Sequence, residues 1–538
     1  MPQTVPNSET DVATFGASNM TNLSITNASV SLDSAVFNSG APPYTLTIQI
    51  YNLIFYGAGV VNNSSSVQSI VTPTVENNDA DLFFYNNATA GIMTSYSTVG
   101  GSFVFYNSSS AGAATFDLTD GVLQAHMFFN DDSTAADATI NASGGAVIEF
   151  FDSSSGGNAT LNLTTAAFVL FESSNNAEHM TGTCIGGGQV FNSQIDFEGS
   201  SSAGEGTFTA IGGSTSGELG GFILFDNTAT AENATFTING GMGAGLTGTT
   251  LAFINTTTAA NAEITANGGV DGSEGGLISF EDKSNGGTCG IILSGNAELE
   301  ISAHHSPGVT IGSLAGAGSV LLGANTLTIG SNNQSTTFSG VIQDSGGVTK
   351  SGTGTVTLSG TNTYSGSTTV TAGVLAISNK QGSATGTGIV NVNAGTLGGS
   401  GVIAGATTVG TGSGAGAFLA PAVGTNKQAT LTVQSGLTFN SDATYTYTFK
   451  AKKNKAGTDL VIGNGVTING ASLNLSGQTQ GSLKRGLRLT LISNTSTNPI
   501  NGTFANLPDG GIVTLNGNNF QANYRGGDGN DLTLTVVP

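Results

Sequence analysis

The composition and charge of the chain narrow the class of protein before any motif is considered. Of the 538 residues, 81 are glycine, none is tryptophan, 9% are charged and 38% are hydrophobic. Such a chain is neither a typical disordered tail nor a typical cytosolic enzyme, and it has enough apolar surface to bury a core. The formal net charge of −22 repels phosphate backbones, which argues against nucleic acid as a partner.

The charges are unevenly distributed along the chain. Residues 1–282 carry 26 acids and no lysine or arginine, whereas residues 283–538 carry 8 acids and all 12 bases. A long segment without basic residues offers trypsin-like proteases nothing to cleave, which suits an exposed extracellular protein. No run of 18 apolar residues is present, so the sequence predicts no transmembrane helix. The first residues lack the basic and apolar regions of a secretory signal, so the signal of an exported protein would be removed or lie outside this chain.

A repeated pattern dominates residues 81–300, after a β-rich N-terminal cap with the first coils that we predict over residues 1–80. In each repeat, apolar residues are followed by Asn, Asp or Glu and then by Ser, Thr and small residues, as in "FVFYNSSS" and "IEFFDSSS". Steps between repeats run from 20 to 29 residues. We place the central position of the repeats at Phe84, Phe105, Phe128, Phe150, Leu170, Phe197, Leu224, Phe253 and Ser279.

A second short segment follows most repeats at an offset of 10 to 12 residues. Its central residues are Phe116, Ile140, Leu161, Phe208, Phe236 and Ile264. Apolar and polar residues alternate in both segments, which predicts strands, and no stretch sustains a helical pattern. A period of this length indicates one coil of a solenoid, in which each coil buries its inner face against the next. The sequence therefore predicts an all-β fold, a parallel β-helix.

Stacked coils align like residues in columns, and this alone explains the recurring Phe and Asn/Asp positions. We expect the Phe column inside and the polar column at a corner, hydrogen-bonding from coil to coil. Cys184 and Cys289 fall four steps apart along the stack, beyond the reach of a disulfide. We therefore expect no disulfide within the monomer.

A sharper motif lies in residues 301–435, which we expect to continue the β-helix. Phe338 to Ser378 read "FSGVIQDSGGVTKSGTGTVTLSGTNTYSGSTTVTAGVLAIS". This stretch resembles the passenger-associated transport repeat of bacterial autotransporters along its full length. The coils before it resemble repeats of large passengers. The last residues resemble the segment that closes such passengers, and we predict C-terminal β-rich coils and a cap over residues 436–538.

The resemblance implies a right-handed parallel β-helix with capped ends, exported across the outer membrane and displayed or released at the cell surface. It also implies a non-enzymatic structural protein that serves adhesion, aggregation or display. Expected partners are a host or cell-surface glycan or protein receptor, or other copies of the chain. Autotransporters end in a translocating β-barrel, and this chain stops at Pro538, where the barrel would begin. Either the barrel is cleaved or separate from this chain, or the protein leaves the cell by another route.

One candidate metal site lies close to the C-terminus. "GGDGNDLTL", Gly526 to Leu534, fits the nonapeptide that binds calcium in repeat-in-toxin β-rolls, with Asp528 and Asp531 as ligands. Such sites share each ion between successive copies, and the sequence holds no second copy. The alternative is a glycine-rich turn before the last strand. Apart from this calcium we expect no cofactor.

Other candidate residues have simpler structural explanations. Asp131 and Asp132 are similar to the paired acids of β-helix enzymes that cleave polysaccharides, but a corner of one repeat explains them as well. His304 and His305 could contribute to a metal site, yet no second cluster of His or Cys accompanies them. With no serine-protease motif either, the sequence predicts no catalytic residues, and an enzyme acting on polysaccharides is the weakest alternative.

Two dense basic patches stand out, "KAKKNK" at Lys450–Lys455 and "KRGLR" at Lys484–Arg488. They are explained by a solvated hairpin tip, or by contact with the acidic part of another copy or with anionic lipopolysaccharide. Contact between copies would make the chain a self-assembling extracellular filament. That is the second hypothesis for its function, after a surface-displayed passenger.

Overall fold

The computed structural model of the protein describes residues 5–73, 80–187, 191–215, 217–414, 416–423 and 427–538. Within these residues every helix or strand element is a β-strand. The chain forms two compact units, unit 1 with residues 1–285 and 295–297, and unit 2 with residues 286–294 and 298–538. The division into four regions stays a prediction.

Unit 1 contains two long parallel sheets whose strands alternate along the chain, so that each coil contributes one strand to each sheet. Sheet 1A consists of Val12–Phe15, Val30–Phe37, Leu53–Asn62, Leu82–Phe84, Ser102–Phe105, His126–Phe129, Val147–Phe150, Phe168–Phe171, Gln194–Phe197, Phe222–Phe225, Thr250–Phe253 and Leu277–Phe280. Sheet 1B consists of Asn22–Ile25, Thr45–Ile48, Gln68–Thr72, Ile92–Val99, Ala113–Thr119, Thr139–Ser143, Thr160–Leu163, Thr181–Ile185, Thr207–Ile211, Thr235–Ile238 and Glu263–Ala266.

Unit 2 is also built from stacked parallel strands, which belong to four sheets. Sheet 2A has Glu298–Glu300, Ser319–Leu321 and Val341–Gln343. Sheet 2B has Gly290–Leu293, Ser313–Gly316, Thr336–Phe338, Thr355–Leu358, Val374–Ile377, Gly395–Gly399, Ala417–Ala420, Ala443–Lys452, Lys455–Thr458 and Ser472–Gln480. Sheet 2C has Gly308–Ile311, Thr326–Ile329, Gly347–Lys350, Thr368–Val370, Val390–Val392, Thr407–Val409, Leu437–Phe439, Val466–Asn469 and Asn501–Thr503.

A fourth sheet of unit 2, sheet 2D, has Val402–Ile403, Thr430–Val433, Leu460–Gly463, Arg488–Asn494, Asp531–Val537, Asn518–Gly526 and Ile512–Leu515. Its pairing changes from parallel to antiparallel beyond Arg488–Asn494, as expected of a capped end. The predicted all-β fold, a solenoid of stacked parallel coils, is confirmed. Its right-handedness stays a prediction.

A ladder of phenylalanine rings runs through the core of unit 1. Successive rings stack at centroid separations between 4.4 and 5.0 Å. The ladder consists of Phe84, Phe105, Phe129, Phe150, Phe171, Phe197, Phe225, Phe253 and Phe280, all completely buried. The close spacing reflects the strand-to-strand distance, which brings flat rings into stacking contact.

The ladder corrects four of the predicted central positions. Phe128, Leu170, Leu224 and Ser279 each lie one residue before the ladder, and Phe129, Phe171, Phe225 and Phe280 occupy it instead. Because successive side chains of a strand point to opposite faces, a shift of one residue moves a side chain from the core to the outer face. Both residues of pairs such as "FF" and "LF" are apolar, so hydrophobicity does not distinguish the two faces.

The second predicted column is confirmed in sheet 1B. Phe116, Ile140, Leu161, Phe208, Phe236 and Ile264 share one register position. The structure adds Gly182 between Leu161 and Phe208. A Cβ atom on Gly182 would lie only 2.7 Å from the ring of Phe208. The ring therefore occupies the space that the missing side chain leaves.

The predicted polar corner is also present, and its residues adopt left-handed backbone conformations. Asn86 and Asn107 have φ of 57°, as has Asp131, a conformation that Asn and Asp tolerate better than most residues. The backbone N–H of Asn86 donates to Oδ1 of Asn107 at 3.1 Å, and that of Asn107 donates to Oδ2 of Asp131 at 2.7 Å. Each corner side chain thus binds the backbone of the preceding coil.

Cys184 and Cys289 are both buried and neither forms a disulfide, as expected. Burial raises the pKa of the Cys184 thiol to about 12. This thiol therefore stays protonated at neutral pH and is a poor nucleophile.

The ladder register predicts a difference between two neighbouring substitutions. Phe171→Ala removes a completely buried ring and is expected to lower the free energy of unfolding by about 3–5 kcal/mol. Leu170→Ala changes the adjacent outer-face side chain and is expected to cost about 1 kcal/mol or less. Urea unfolding followed by circular dichroism measures both, and an equal or reversed ranking would contradict the register.

Candidate functional site

The transport-repeat motif forms the middle of unit 2, where it contributes strands to sheets 2A, 2B and 2C. Its strands are Val341–Gln343, Gly347–Lys350, Thr355–Leu358, Thr368–Val370 and Val374–Ile377. All of these strands pair in parallel. The motif therefore covers nearly two coils of the solenoid.

The glycines of the motif stand where two coils approach too closely for a side chain. A Cβ atom on Gly360 would lie 1.9 Å from the carbonyl oxygen of Gly340. A Cβ atom on Gly366 would lie 2.3 Å from that of Gly346, and one on Gly388 would lie 1.9 Å from that of Gly366. The spacing of these glycines thus reflects coil-to-coil contact, and only glycine fits.

Asn362 and Tyr364 of the "NTYSG" segment are turned into the core, whereas Thr363 and Ser365 are exposed. Asn362 accepts the N–H of Ile342 on Oδ1 at 2.8 Å and donates through Nδ2 to the carbonyl of Ala384 at 2.5 Å. The hydroxyls of Tyr364 and Thr368 lie 2.6 Å apart. All three side chains are buried, and burial raises the pKa of Tyr364. The bonds of Asn362 therefore join its own coil to the coil before it and the coil after it.

Lys350 occupies a core position of the motif, between Ile329 and Val370 in register. The residue is only 1% exposed. Its Nζ donates to the carbonyl oxygens of Ser351 at 2.5 Å, Gly352 at 2.9 Å and Ala372 at 3.3 Å. Burial lowers the pKa of this amine to about 8. The lysine holds two corners together and is not available to a ligand.

The two basic patches come together in unit 2. Lys450 and Lys452 lie on the outer face of the long strand of sheet 2B, and Lys455 begins the antiparallel return strand. The N–H of Lys484 donates to the carbonyl of Lys453 at 2.7 Å, which places the second patch beside the hairpin tip. We call Lys450, Lys452, Lys453, Lys455, Lys484 and Arg485 the basic ribbon. All six residues are exposed.

The predicted calcium ligands lie at a hairpin turn. Asp528 is exposed in the turn between Asn518–Gly526 and Asp531–Val537, and Asp531 begins the last strand. Oδ1 of Asp531 accepts the backbone N–H of Asn494 at 2.9 Å. Burial raises the pKa of Asp531, and the nearby carboxylate of Asp528 adds to the rise. Calcium binding at Asp528 and Asp531 stays a prediction.

The other predicted acids and histidines take structural positions. Asp131 belongs to the polar corner, and the N–H of Asp132 donates to the carbonyl of Asn107 at 3.0 Å. His304 is half-buried and His305 is exposed. In the part of the chain that the structure describes, no three His, Cys, Asp or Glu side chains are placed to hold a metal ion.

An acidic strip on the outer face of sheet 1A escaped the sequence reasoning. Asp196 is only 4% exposed, and both of its carboxylate oxygens accept from Nε2 of Gln194 at 2.7 Å. Burial raises the pKa of Asp196 to about 7, with smaller contributions from Glu198 and Asp226. Burial together with Asp226 and Glu172 also raises the pKa of Glu198. The sequence signal for this strip is the alternation in "QIDFE", because Asp196 and Glu198 fall on neighbouring positions that do not face the core.

Comparison with known proteins agrees with the geometry of the transport repeat. The passenger-associated-transport-repeat family matches residues 348–377, the part of the motif that contains Gly360, Gly366 and Lys350. A stretch of 108 residues is 41% identical to an adhesin, the BmaC autotransporter of Brucella suis biovar 1 (strain 1330). Together with the β-solenoid fold, these two matches support an autotransporter passenger domain.

The similarity covers a small part of a much larger relative. The aligned stretch is 19% of this chain and about 3% of the length of the adhesin. Among the described residues of the chain, no helix is long and apolar enough to cross a membrane. A role at the cell surface, exposed or secreted, agrees with both matches.

The acidic strip predicts a pH-dependent stability. The pKa of Asp196 in the folded state, about 7, lies above the ordinary value of 3.8. The folded state therefore favours the protonated form of Asp196. The contribution of this protonated acid to stability is fully present below pH 4 and is lost as the pH rises to 7. Asp196→Asn is expected to raise the melting temperature by several degrees at pH 8 and to leave it nearly unchanged at pH 3.5.

Asp132→Asn, which removes one exposed carboxylate from the same unit, controls for the loss of a charge. Thermal unfolding followed by circular dichroism at both pH values measures the effect. Equal shifts for Asp196→Asn at pH 3.5 and pH 8 would show that ionisation of Asp196 is not the cause.

Proposed function

We propose that this passenger is a non-enzymatic structural protein that mediates adhesion at the bacterial surface. The observation that carries the proposal is the transport repeat. Its glycine, asparagine, tyrosine and lysine residues pack or form hydrogen bonds between coils, which is a structural role. The name of the BmaC relative supports adhesion in particular. The partner is a glycan or protein receptor on a host or cell surface.

The physical properties of the coils support a display role. A solenoid buries its core between neighbouring coils, so its outer faces and corners can vary without loss of the fold. In unit 1 the corner acids Asp131 and Asp152 are engaged in hydrogen bonds to neighbouring coils. Carboxylates used in this way connect neighbouring coils, and we assign them no role as a catalytic acid or base.

Beads test the adhesive role directly. Beads coated with the purified passenger are expected to bind to cultured host cells at least several-fold more than beads coated with the same protein after heat unfolding. Counting bound beads by microscopy gives the measurement. Binding of the folded and the unfolded coatings to the same extent would argue against adhesion through the folded surface.

The charge distribution favours a second function, a filament of stacked copies. Residues 1–282 contain no lysine or arginine, whereas the basic ribbon lies in unit 2, so contacts between copies could pair opposite charges. Negative-stain electron microscopy is then expected to show filaments at low salt that dissolve at high salt. Filaments that form only with calcium would point instead to Asp528 and Asp531, and separate particles in every condition would exclude this function.

A further inference from the structure

The basic ribbon is carried by a three-stranded part of sheet 2B that has one buried and one exposed face. Along Ala443–Lys452, Phe449 and Ala451 are buried, whereas Lys450 and Lys452 are exposed. Lys450 pairs with Gln478 and Lys452 pairs with Gln480 on the parallel neighbour. Paired residues share a face, so the lysines and glutamines form one exposed surface of ammonium and amide groups.

The return strand places like charges directly opposite each other. Lys452 and Lys455 are partners in the antiparallel pairing. Within the described residues, neither lysine forms an ion pair with a carboxylate. Like charges at directly opposite positions destabilise a sheet. A bound anion would relieve this repulsion, so the arrangement is suited to a negatively charged ligand.

The surface is concave, as ligand sites usually are. Lys450, Lys452, Lys455, Gln478 and Gln480 line a cavity of about 380 Å³. A second cavity of about 510 Å³ is lined by Gln428, Thr448, Lys450, Ser476 and Gln478. The two cavities share Lys450 and Gln478 as lining residues, and we call them together the groove. Its lining combines ammonium groups with amides and hydroxyls.

The second basic patch is held at the end of this groove. Leu483 is buried, and its N–H donates to Oδ1 of Asn518 at 2.7 Å. The N–H of Gly486 donates to the carbonyl of Val536 at 2.9 Å. These bonds fix the backbone on both sides of Lys484 and Arg485, beside the hairpin tip that carries the other lysines.

We infer that the basic ribbon binds an acidic polysaccharide, and this inference rests on the proposed adhesive function. Sulfate or carboxylate groups of such a chain would meet the lysines, and sugar hydroxyls would meet the glutamine, serine and threonine side chains of the groove. A second copy fits the groove less well. Acids of unit 1 such as Asp131 and Asp152 already accept backbone hydrogen bonds from the preceding coil.

The experiment measures binding of the full chain to immobilised heparin, polygalacturonate and neutral dextran. Heparin carries sulfates and carboxylates, polygalacturonate carries carboxylates alone, and dextran is uncharged. The chain is expected to bind at least one acidic polymer, more weakly as salt rises, and not to bind dextran. Heparin binding without polygalacturonate binding would assign the ligand to sulfated glycans, and binding to both would assign it to polyuronates as well.

The test variant is Lys450→Gln/Lys452→Gln/Lys455→Gln, and the matched control is Lys283→Gln/Lys380→Gln/Arg525→Gln. Both variants remove three exposed basic residues, but the control leaves the groove intact. The test variant is expected to bind the acidic polymer about ten-fold more weakly, from the usual strength of exposed charge pairs. The control is expected to bind within about two-fold of the parent.

A structural role would change stability instead of binding. The test variant loses the opposition of Lys452 and Lys455, so its melting temperature is expected to equal or exceed that of the parent. Equal binding by both variants, or binding to dextran as well as the acidic polymers, would overturn the inference. Absence of binding of the parent chain to either acidic polymer would also overturn the inference. A loss of self-association by the test variant in sedimentation would not change that conclusion.

The bead assay separates failure of this inference from failure of the proposed function. Beads with the parent chain that adhere to cells while the chain binds no acidic polymer would refute the polysaccharide and leave adhesion standing. The opposite result is that beads do not adhere, while the parent chain binds the acidic polymer and the test variant does not. That result would refute adhesion and retain the groove as a binding site.

Discussion

The rest of the structure depends on parallel hydrogen bonding between successive coils. Strands paired in this way lie about 4.8 Å apart, which is also a centroid separation at which parallel aromatic rings stack with an offset. The phenylalanine rings of unit 1 accordingly repeat at 4.4 to 5.0 Å. One spacing thus suits both the backbone hydrogen bonds and the stacking of rings in the core. It allows this chain, which has few charged residues and no helix among its described residues, to bury a continuous interior.

The same spacing forces every side chain to meet its counterpart in the next coil. Where the counterparts are Asn and Asp at a corner, the result is favourable, because each side chain binds the backbone of its neighbour. Where two coils come close, as at Gly340 and Gly360, only glycine fits. Where acids succeed one another, as at Glu172, Glu198 and Asp226, burial raises the pKa of Glu198, and the like charges that the spacing holds together add to the rise. Stability and local strain therefore have a common origin.

The transport repeat and the basic ribbon use this framework in different ways. The repeat turns Asn362, Tyr364 and Lys350 inward, where they join neighbouring coils by hydrogen bonds. The ribbon turns its lysines outward on a hairpin extension of sheet 2B, where the side chains are not needed for packing. A surface of this kind can acquire binding properties while the stacked core remains unchanged.

The sequence by itself determined the all-β class, the coil period and the second column from Phe116 to Ile264, because periodic residues on stacked coils report the repeat directly. It also predicted the polar corner and the absence of a disulfide. Only the tertiary structure decided that Phe129 and Phe171, and not Phe128 and Leu170, enter the core, since both members of each pair are apolar and the backbone register selects the inward face. The sequence also did not predict that Lys350 and Asp196 are buried, because the residues around them come from other coils some 20 to 30 residues away.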